Sequence, residues 1–199
     1  MLRIIPPTTL NYARDSAFAS LLNKNFIWNY QKNIFIKFFF SRLIFNLQKH
    51  KIDDLVEPTC TLCRRNRFQP LKDETLYHLI FECRFYEPIV SSATNLIRVI
   101  EAGFSSHNLL VGSMCKINYE RDFVNIISLL FINFTYLYRC NNPAPTVNQM
   151  GRYVNGALCD YAHASKKFRN EHQAIVKKFS IARTSFLHNE FETFNNGRG

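Results

Sequence analysis

The chain has 199 residues, of which 47% are hydrophobic and 20% are charged, and its formal net charge is +10. This length and apolar content exclude a disordered tail and allow a buried core, so we expect one domain or one domain with a small appendage. The excess of positive charge concentrates polyanions at a protein surface and favours a nucleic-acid partner.

The N-terminal part, residues 1–57, is predicted to be helical, basic and rich in aromatic residues. A short helix is expected within residues 11–26, and a long apolar helix from about Trp28 to Lys49. Steps of 100° place seven apolar residues on one broad face of the long helix: Trp28, Phe35, Ile36, Phe39, Phe40, Leu43 and Leu47. Phe38 and Phe45 fall outside this face. The helix is therefore expected to be buried on more than one side or to contact another part of a larger assembly.

Residues 58–90 contain a pattern typical of a metal site. Cys60 and Cys63 enclose two residues, a spacing that lets one tight turn direct two thiolates at a single ion. His78 and Cys83 follow fourteen residues later with four residues between them. Three cysteines and one histidine fill a tetrahedral zinc site completely, so we expect a structural zinc ion with no open position for water or substrate.

The spacing of His78 and Cys83 restricts the backbone geometry between them. On a regular α-helix an offset of five residues separates two side chains by about 140° around the axis. Both reach one ion only if a helix begins or ends between them, so we predict a short helix that carries His78 and loosens at Cys83. Thr75 is expected to cap this helix, and Glu74 either lies near its positive end or accepts the ring N–H of His78.

The remainder, residues 91–190, is predicted to be helical, and no alternating pattern supports a central sheet. A helix is expected from about Phe85 to Ala102, then one helical turn capped by Ser105 or Ser106. Residues 119–139 form the next helix. Its apolar stretch 123–138 is shorter than the roughly 18 residues that a spanning helix needs, which favours a buried core helix and no membrane partner.

A connector with Pro143 and Pro145 precedes a final helix, predicted from about Thr146 to Arg183 and weakened at Gly151 and Gly156. Residues 191–199 are expected to be a disordered tail.

Three cysteines stand apart from the metal pattern and are typical of a reducing compartment: Cys115, Cys140 and Cys159. With no visible secretory signal, we expect an intracellular protein, nuclear or cytoplasmic.

Basic residues form three clusters. The first, from Lys24 to Lys51, has no acidic residue, and the second lies in the loop of the metal segment. The third follows His163. From the second and third clusters we predict these nucleic-acid contacts: Arg64, Arg65, Arg67, Lys72, Lys166, Lys167, Arg169, Lys177 and Lys178. Phe68 is a candidate for stacking on unpaired bases. A solvated helix face is the alternative for each cluster taken alone.

The stretch FIWNYQKNIFIKFFFSRLIFNLQKHKIDDLVEPTCTLC, followed by ETLYHLIFECRFYEPI, resembles the zinc-binding domain behind the polymerase of non-LTR retrotransposon reverse transcriptases. In that family an aromatic-rich helix precedes a Cys-x2-Cys pair and an E-T-x-x-H-L-x-x-x-C segment. The positions that match this pattern are Cys60, Cys63, Glu74, Thr75, His78, Leu79 and Cys83. The match covers about residues 26–90, and it implies a region that helps to grip template RNA or target DNA.

Catalysis is not expected. The one Asp-Asp pair, Asp53 and Asp54, follows Lys51 and Ile52 and lacks the strand and partner carboxylate that two-metal polymerisation requires. A thiol nucleophile at Cys115 or Cys159 is disfavoured because neither has a histidine nearby on an evident loop. The sequence therefore predicts a non-catalytic, zinc-binding module for RNA or DNA. The alternative is a zinc-stabilised fragment that docks, through residues 28–49, on a polymerase region or another protein.

Overall fold

A computed structural model describes residues 21–39, 44–67, 70–113, 117–141 and 143–181. The described elements are helical, and the only strand-like pairing among them is one isolated antiparallel bridge between Thr59 and Asp73. In chain order they are α1 (Asn29–Phe39), α2 (Asn46–His50), α3 (Thr61–Arg65), a π-helix (His78–Glu82), α4 (Glu87–Arg98), α5 (Asn108–Val111), α6 (Asn118–Tyr138), α7 (Val147–Ala164) and α8 (Lys166–Ile181). The predicted fold class, mostly α with a loop-rich Cys/His segment, is confirmed.

Helix α6 forms the centre of the molecule. Every residue from 123 to 135 is buried, and α1, α4, α5, α7 and α8 all pack against it. A helix that is apolar on all sides is stable in water only when other elements surround it. The prediction of a buried core helix is therefore correct, and no helix of the described residues is long and apolar enough to cross a membrane.

The predicted continuous helix from Trp28 to Lys49 is wrong. It is present as α1 and α2, and Phe45 between them is extended, with φ −95° and ψ 175°. The amide oxygen of Gln48 accepts the Phe45 N–H at 3.1 Å, which starts a new helix there. The predicted apolar face also differs, because Trp28 is 44% exposed while Gln31 is buried against Tyr161.

The predicted single helix from Thr146 to Arg183 is two helices. Thr146 does cap the first one, by accepting the Gln149 N–H at 3.2 Å. The break lies at Ser165, with φ −139° and ψ 110°, rather than at Gly151 or Gly156. Ser165 Oγ accepts the Phe168 N–H at 3.2 Å, so its side chain caps α8. The turn buries the Phe168 ring, whose centroid lies 5.0 Å from that of Phe26.

The predictions around α4 and α5 hold in part. Both helices are present close to the expected positions, but neither serine caps α5. Instead Asn108 Oδ1 accepts the Ser105 backbone N–H at 2.9 Å. The predicted disordered tail and most of the predicted N-terminal helix lie outside the described residues.

One hydrophobic core joins the metal segment to the rest of the helices. Leu62, Leu79 and Ile80 belong to the same buried cluster as the apolar residues of α4, α6 and α7. The metal segment is therefore packed on the helical body, and its ligands are held by the same core.

Candidate metal centre

Two backbone pairings bring the halves of the metal segment together. The Cys60 N–H donates to the Lys72 carbonyl at 2.9 Å, and the Glu74 N–H donates to the Pro58 carbonyl at 2.8 Å. Helix α3 lies between these two paired stretches, residues 58–60 and 72–74; it begins directly after Cys60 and contains Cys63. The turn into α3 therefore directs both thiols into the interior, where they are buried.

The second ligand pair is positioned by the π-helix. In a π-helix each N–H bonds to the carbonyl five residues earlier, so residues five apart lie about one turn apart on the same face. The Cys83 N–H donates to the His78 carbonyl at 2.7 Å, which closes one such turn. Cys83 itself is extended, with φ −78° and ψ 109°. The prediction that the helix carries His78 and loosens at Cys83 is confirmed, and the π turn satisfies the restriction on the backbone geometry.

The four predicted ligands converge on one point. One donor atom from each of Cys60, Cys63, His78 and Cys83 lies within 4.8 Å of all the others, and all four residues are buried. Cys63 Sγ lies 3.5 Å from His78 Nε2 and 3.8 Å from Cys83 Sγ. This arrangement is compatible with a metal site made entirely of protein ligands.

The His78 ring is oriented by Glu82 and not by Glu74. Nδ1 of His78 lies 3.4 Å from Glu82 Oε2, so Nε2 faces the sulfurs. Lys72 in turn lies 3.1 Å from Glu82 Oε1. Burial opposes ionisation of Glu82, but Lys72 and His78 outweigh it and lower the pKa of this carboxyl. A carboxylate on the second ring nitrogen is typical of histidines that bind metals.

Glu74 has a different role from the two that were predicted. Its side chain is fully buried, and Oε2 accepts the Thr61 N–H at 3.2 Å while Oε1 accepts from Arg139 Nε at 3.3 Å. The guanidinium of Arg139 lies 4.3 Å from the ring centroid of Tyr136. Glu74 therefore ties α3 to the end of α6. The predicted cap is confirmed, because Thr75 Oγ1 accepts the His78 N–H at 3.0 Å.

The thiols resist ionisation in the absence of a cation. A hydrogen bond with Cys83 together with burial raises the pKa of Cys60 to about 12. Burial and the neighbouring Cys60 raise the pKa of Cys63 to about 11. Burial lowers the pKa of His78, but hydrogen bonding to Cys60 and Glu82 outweighs it and raises the value. Thiolates at this site therefore require a bound cation for charge balance.

The basic residues of the loop are exposed, but several of them already have partners within the chain. Arg64 lies 3.7 Å from Glu57, and Arg65 Nη1 donates to the Cys140 carbonyl at 2.7 Å. Arg67 is exposed with φ 53°, a left-handed conformation that ends α3. Lys72 pairs with Glu82, as described above. Phe68, the predicted stacking residue, lies outside the described residues.

The C-terminal cluster lies on α8, apart in sequence from the loop. Lys166, Lys167 and Arg169 are exposed, and Arg169 Nε donates to the Ala162 carbonyl at 2.9 Å. Lys167 lies 4.0 Å from Glu171 in a pair that is open to solvent. The backbone of Lys177 and Lys178 is helical, and their side chains are not among those that the structure describes.

Sequence reasoning missed Glu82 and Arg139. Glu82 follows His78 by four residues, a helical spacing that was available as a signal for a partner. Arg139 is separated from Glu74 by 65 positions, and no local pattern indicates that pairing.

Comparison with protein-family models, with curated proteins and with solved structures gives no match for this chain.

Proposed function

We propose that the chain is a zinc-stabilised, basic module that binds nucleic acid. The observation that carries the proposal is a closed cluster of three thiols and one imidazole whose two halves flank a loop with exposed arginines. With zinc–sulfur bonds of about 2.3 Å and zinc–nitrogen bonds of about 2.0 Å, a regular tetrahedron has sulfur–sulfur edges of about 3.8 Å and sulfur–nitrogen edges of about 3.5 Å. The two separations given above, 3.8 Å and 3.5 Å, agree with these edges.

The proposed role of zinc is structural. Four protein donors occupy all tetrahedral positions, so no site is left for a water or a substrate. All four residues are buried, which further separates the ion from solvent. Soft thiolate donors favour zinc over hard cations such as magnesium. The ion would hold the two halves of the segment together and fix the exposed loop between them.

The proposed ligand is RNA or DNA, bound with little sequence preference. Arg64 and Arg67 are exposed on the loop, and Lys166 and Lys167 are exposed on α8. Such cations contact phosphates without regard to base identity. The resemblance of residues 26–90 to the zinc-binding domain of retrotransposon reverse transcriptases supports the same ligand. Under this proposal the chain has no polymerase or nuclease activity, and Asp53 and Asp54 lie in an exposed turn.

Salt-dependent binding tests the proposal. Fluorescence anisotropy with a labelled oligonucleotide is expected to show an affinity that falls with rising salt. If about four phosphates are neutralised, the slope of log affinity against log salt is about −3 to −4. Lys166→Ala combined with Lys167→Ala should reduce the slope, whereas Asn170→Ala on the same exposed helix should not. Absence of binding below about 50 mM salt would contradict the proposal.

A second candidate function, protein docking, is favoured by a specific observation. Four large apolar residues in and beside α1 and α2 are exposed: Trp28, Tyr30, Ile36 and Ile44. The Trp28 and Tyr30 rings lie together, with centroids 5.5 Å apart, and adjacent exposed apolar side chains are typical of an interface. Size-exclusion chromatography separates the candidates, because self-association abolished by Trp28→Ser, without any binding of RNA or DNA, would favour docking.

A further inference from the structure

A cleft of about 380 Å³ lies beside the metal centre, between the π-helix and α4. One wall is the turn from Ile80 to Arg84. The other follows one stripe of α4, where residues three or four apart share a face: Glu87, Ser91, Thr94, Asn95 and Arg98. A cleft of this size is large enough for a single nucleotide.

Aromatic rings form a row that reaches into the cleft. The Phe81 ring, which lines the cleft, lies with its centroid 4.9 Å from that of Tyr77 and 4.8 Å from that of His107. Tyr77 is 50% exposed, and His107 is also exposed. The planes of Tyr77 and His107 are tilted from that of Phe81 by 46° and 38°, so the rings present separate faces rather than one flat surface. Exposed aromatic faces are the surfaces on which unpaired bases stack.

The polar groups of the cleft suit a nucleotide as well. Arg84 and Arg98 contribute two guanidinium groups, and Arg98 is held in place by hydrogen bonds to the Phe104 carbonyl at 2.8 Å and to Asn95 Oδ1 at 3.3 Å. The buried Thr94 hydroxyl has no hydrogen-bond partner within the described chain. A buried hydroxyl without a partner is costly, so a ligand or water that bonds to it would be favoured.

Two acidic residues also line the cleft, and both are compensated. Glu82 is paired with Lys72 and with His78. Glu87 is the first residue of α4, where the helix dipole stabilises a negative charge. The charge of Glu82 is therefore balanced by Lys72, which does not line the cleft.

We propose that this cleft takes an unpaired base of single-stranded nucleic acid, stacked on Phe81 at the cleft wall and flanked by Tyr77 and His107, with its phosphate at Arg84 and Arg98. The inference rests on the proposed function and narrows the ligand to a single strand, because the Phe81 ring lines a concave site that a base reaches only outside a duplex. Cations on the loop and on α8 contact phosphates of either form, whereas the cleft selects the single strand.

Two variants test the cleft against matched controls. Tyr77→Leu removes the exposed ring, and its control is Tyr30→Leu, which removes a ring of similar exposure, 43%, elsewhere. Ser91→Trp fills the cleft from its exposed wall, and its control is Asn148→Trp on an exposed position of α7. Metal content and circular dichroism of each variant establish that the fold is retained.

The probes are a labelled single-stranded 12-mer with one central 2-aminopurine and the corresponding duplex. Wild-type protein should quench the 2-aminopurine fluorescence of the single strand. Tyr77→Leu and Ser91→Trp should each weaken single-strand binding roughly fivefold or more and leave duplex binding unchanged. The control variants should bind like the wild type.

The outcomes separate the two proposals. If the wild type binds both probes with salt dependence but the two cleft variants behave like their controls, the cleft inference is overturned and the proposed function stands. If losses occur equally for single strand and duplex, the cleft inference is overturned as well. If neither probe binds at low salt, the proposed function fails and the inference fails with it.

Discussion

Glu82 orients His78 so that Nε2 faces the cysteine sulfurs. Glu82→Gln keeps the shape of the side chain but removes the negative charge beside Nδ1. Because such carboxylates fix the ring tautomer and raise ligand basicity, we expect metal affinity to fall about tenfold. Competition with a chromophoric chelator measures the effect. The control is Glu87→Gln, which removes the same charge at an exposed position five residues later and should leave the affinity unchanged.

Acid should weaken the site strongly. The pKa values of Cys60 and Cys63, about 12 and about 11 in the metal-free protein, lie above neutral pH, so metal binding must release a proton from each thiol. For each proton released, the metal affinity changes about tenfold per pH unit. Two protons therefore lower the metal affinity roughly a hundredfold for each unit by which the pH falls between 8 and 6. The raised pKa of His78 adds to the loss at the acid end. Titrations at several pH values check the slope, and a constant affinity would refute thiolate ligation.

At the residue scale, the sequence predicted that the four candidate ligands lie together, but it only partly predicted the residues that orient them. Tetrahedral coordination restricts the spacing of Cys60 and Cys63 so tightly that the pattern itself indicates the site. Glu74 was misassigned because proximity in sequence to His78 suggested contact. In the structure Glu74 faces Thr61 and Arg139 instead, and Glu82 takes the histidine.

The π-helix is the element on which the ligand geometry depends. One alanine inserted after Ile80 changes the offset between His78 and Cys83 from five residues to six. A six-residue offset fits neither an α turn nor a π turn, so we expect metal binding to be lost. The matched control is one alanine inserted after Leu55, a residue that is 93% exposed, where the site should remain intact. Metal content per chain, measured after gel filtration, distinguishes the two proteins.

The contact between the metal segment and α6 depends on a buried ion pair. Arg139→Met leaves the fully buried carboxylate of Glu74 without its counter-charge. Loss of one partner from such a pair costs about 3–5 kcal/mol in the free energy of unfolding. The double variant Glu74→Gln, Arg139→Met should be more stable than Arg139→Met alone, because no uncompensated charge remains. Urea unfolding of the wild type, Glu74→Gln, Arg139→Met and the double variant measures the coupling, and additive losses would contradict it.

Helix limits were harder to predict than helix existence. Helix α6 was found because its apolar composition dominates over 21 residues. The break at Phe45 was missed because it depends on tertiary contacts. The Phe45 ring packs edge-on to Tyr136 at 5.7 Å, and Asn46 Nδ2 donates to Thr61 Oγ1 at 2.9 Å. Periodicity within one segment contains no information on such partners.

On the scale of the whole molecule, the exposed cations and the buried apolar residues are distributed differently. One continuous core includes residues from Leu21 to Ile175, whereas the exposed cations lie in several separate places, among them the loop after Cys63 and α8. Net charge predicted a polyanionic partner, but it contained no information on which cations are paired within the fold. Lys72 illustrates the difference, because its ammonium group lies against Glu82.

The metal should stabilise one part of the molecule more than the rest. The large apolar side chains that residues 58–83 bury in the core are Leu62, Leu79 and Ile80. The two halves of this segment are otherwise joined by the Cys/His cluster, by two backbone hydrogen bonds and by the hydrogen bond from Thr61 to Glu74. Helix α6 is instead surrounded by five other helices. Removal of the ion with a chelator is therefore expected to unfold residues 58–83 locally and to leave residues 123–135 folded.

Hydrogen exchange followed by mass spectrometry measures this difference. After chelation, amides of α3 and the π-helix should exchange rapidly, while those in the middle of α6 should keep their protection. Cys63→Ser without chelator should reproduce the pattern, whereas Cys159→Ser, which lies outside the ligand set, should not. Uniform loss of protection across the chain would mean that the ion is required for the whole fold. Unchanged protection of α3 would mean that the cluster does not depend on a metal at all.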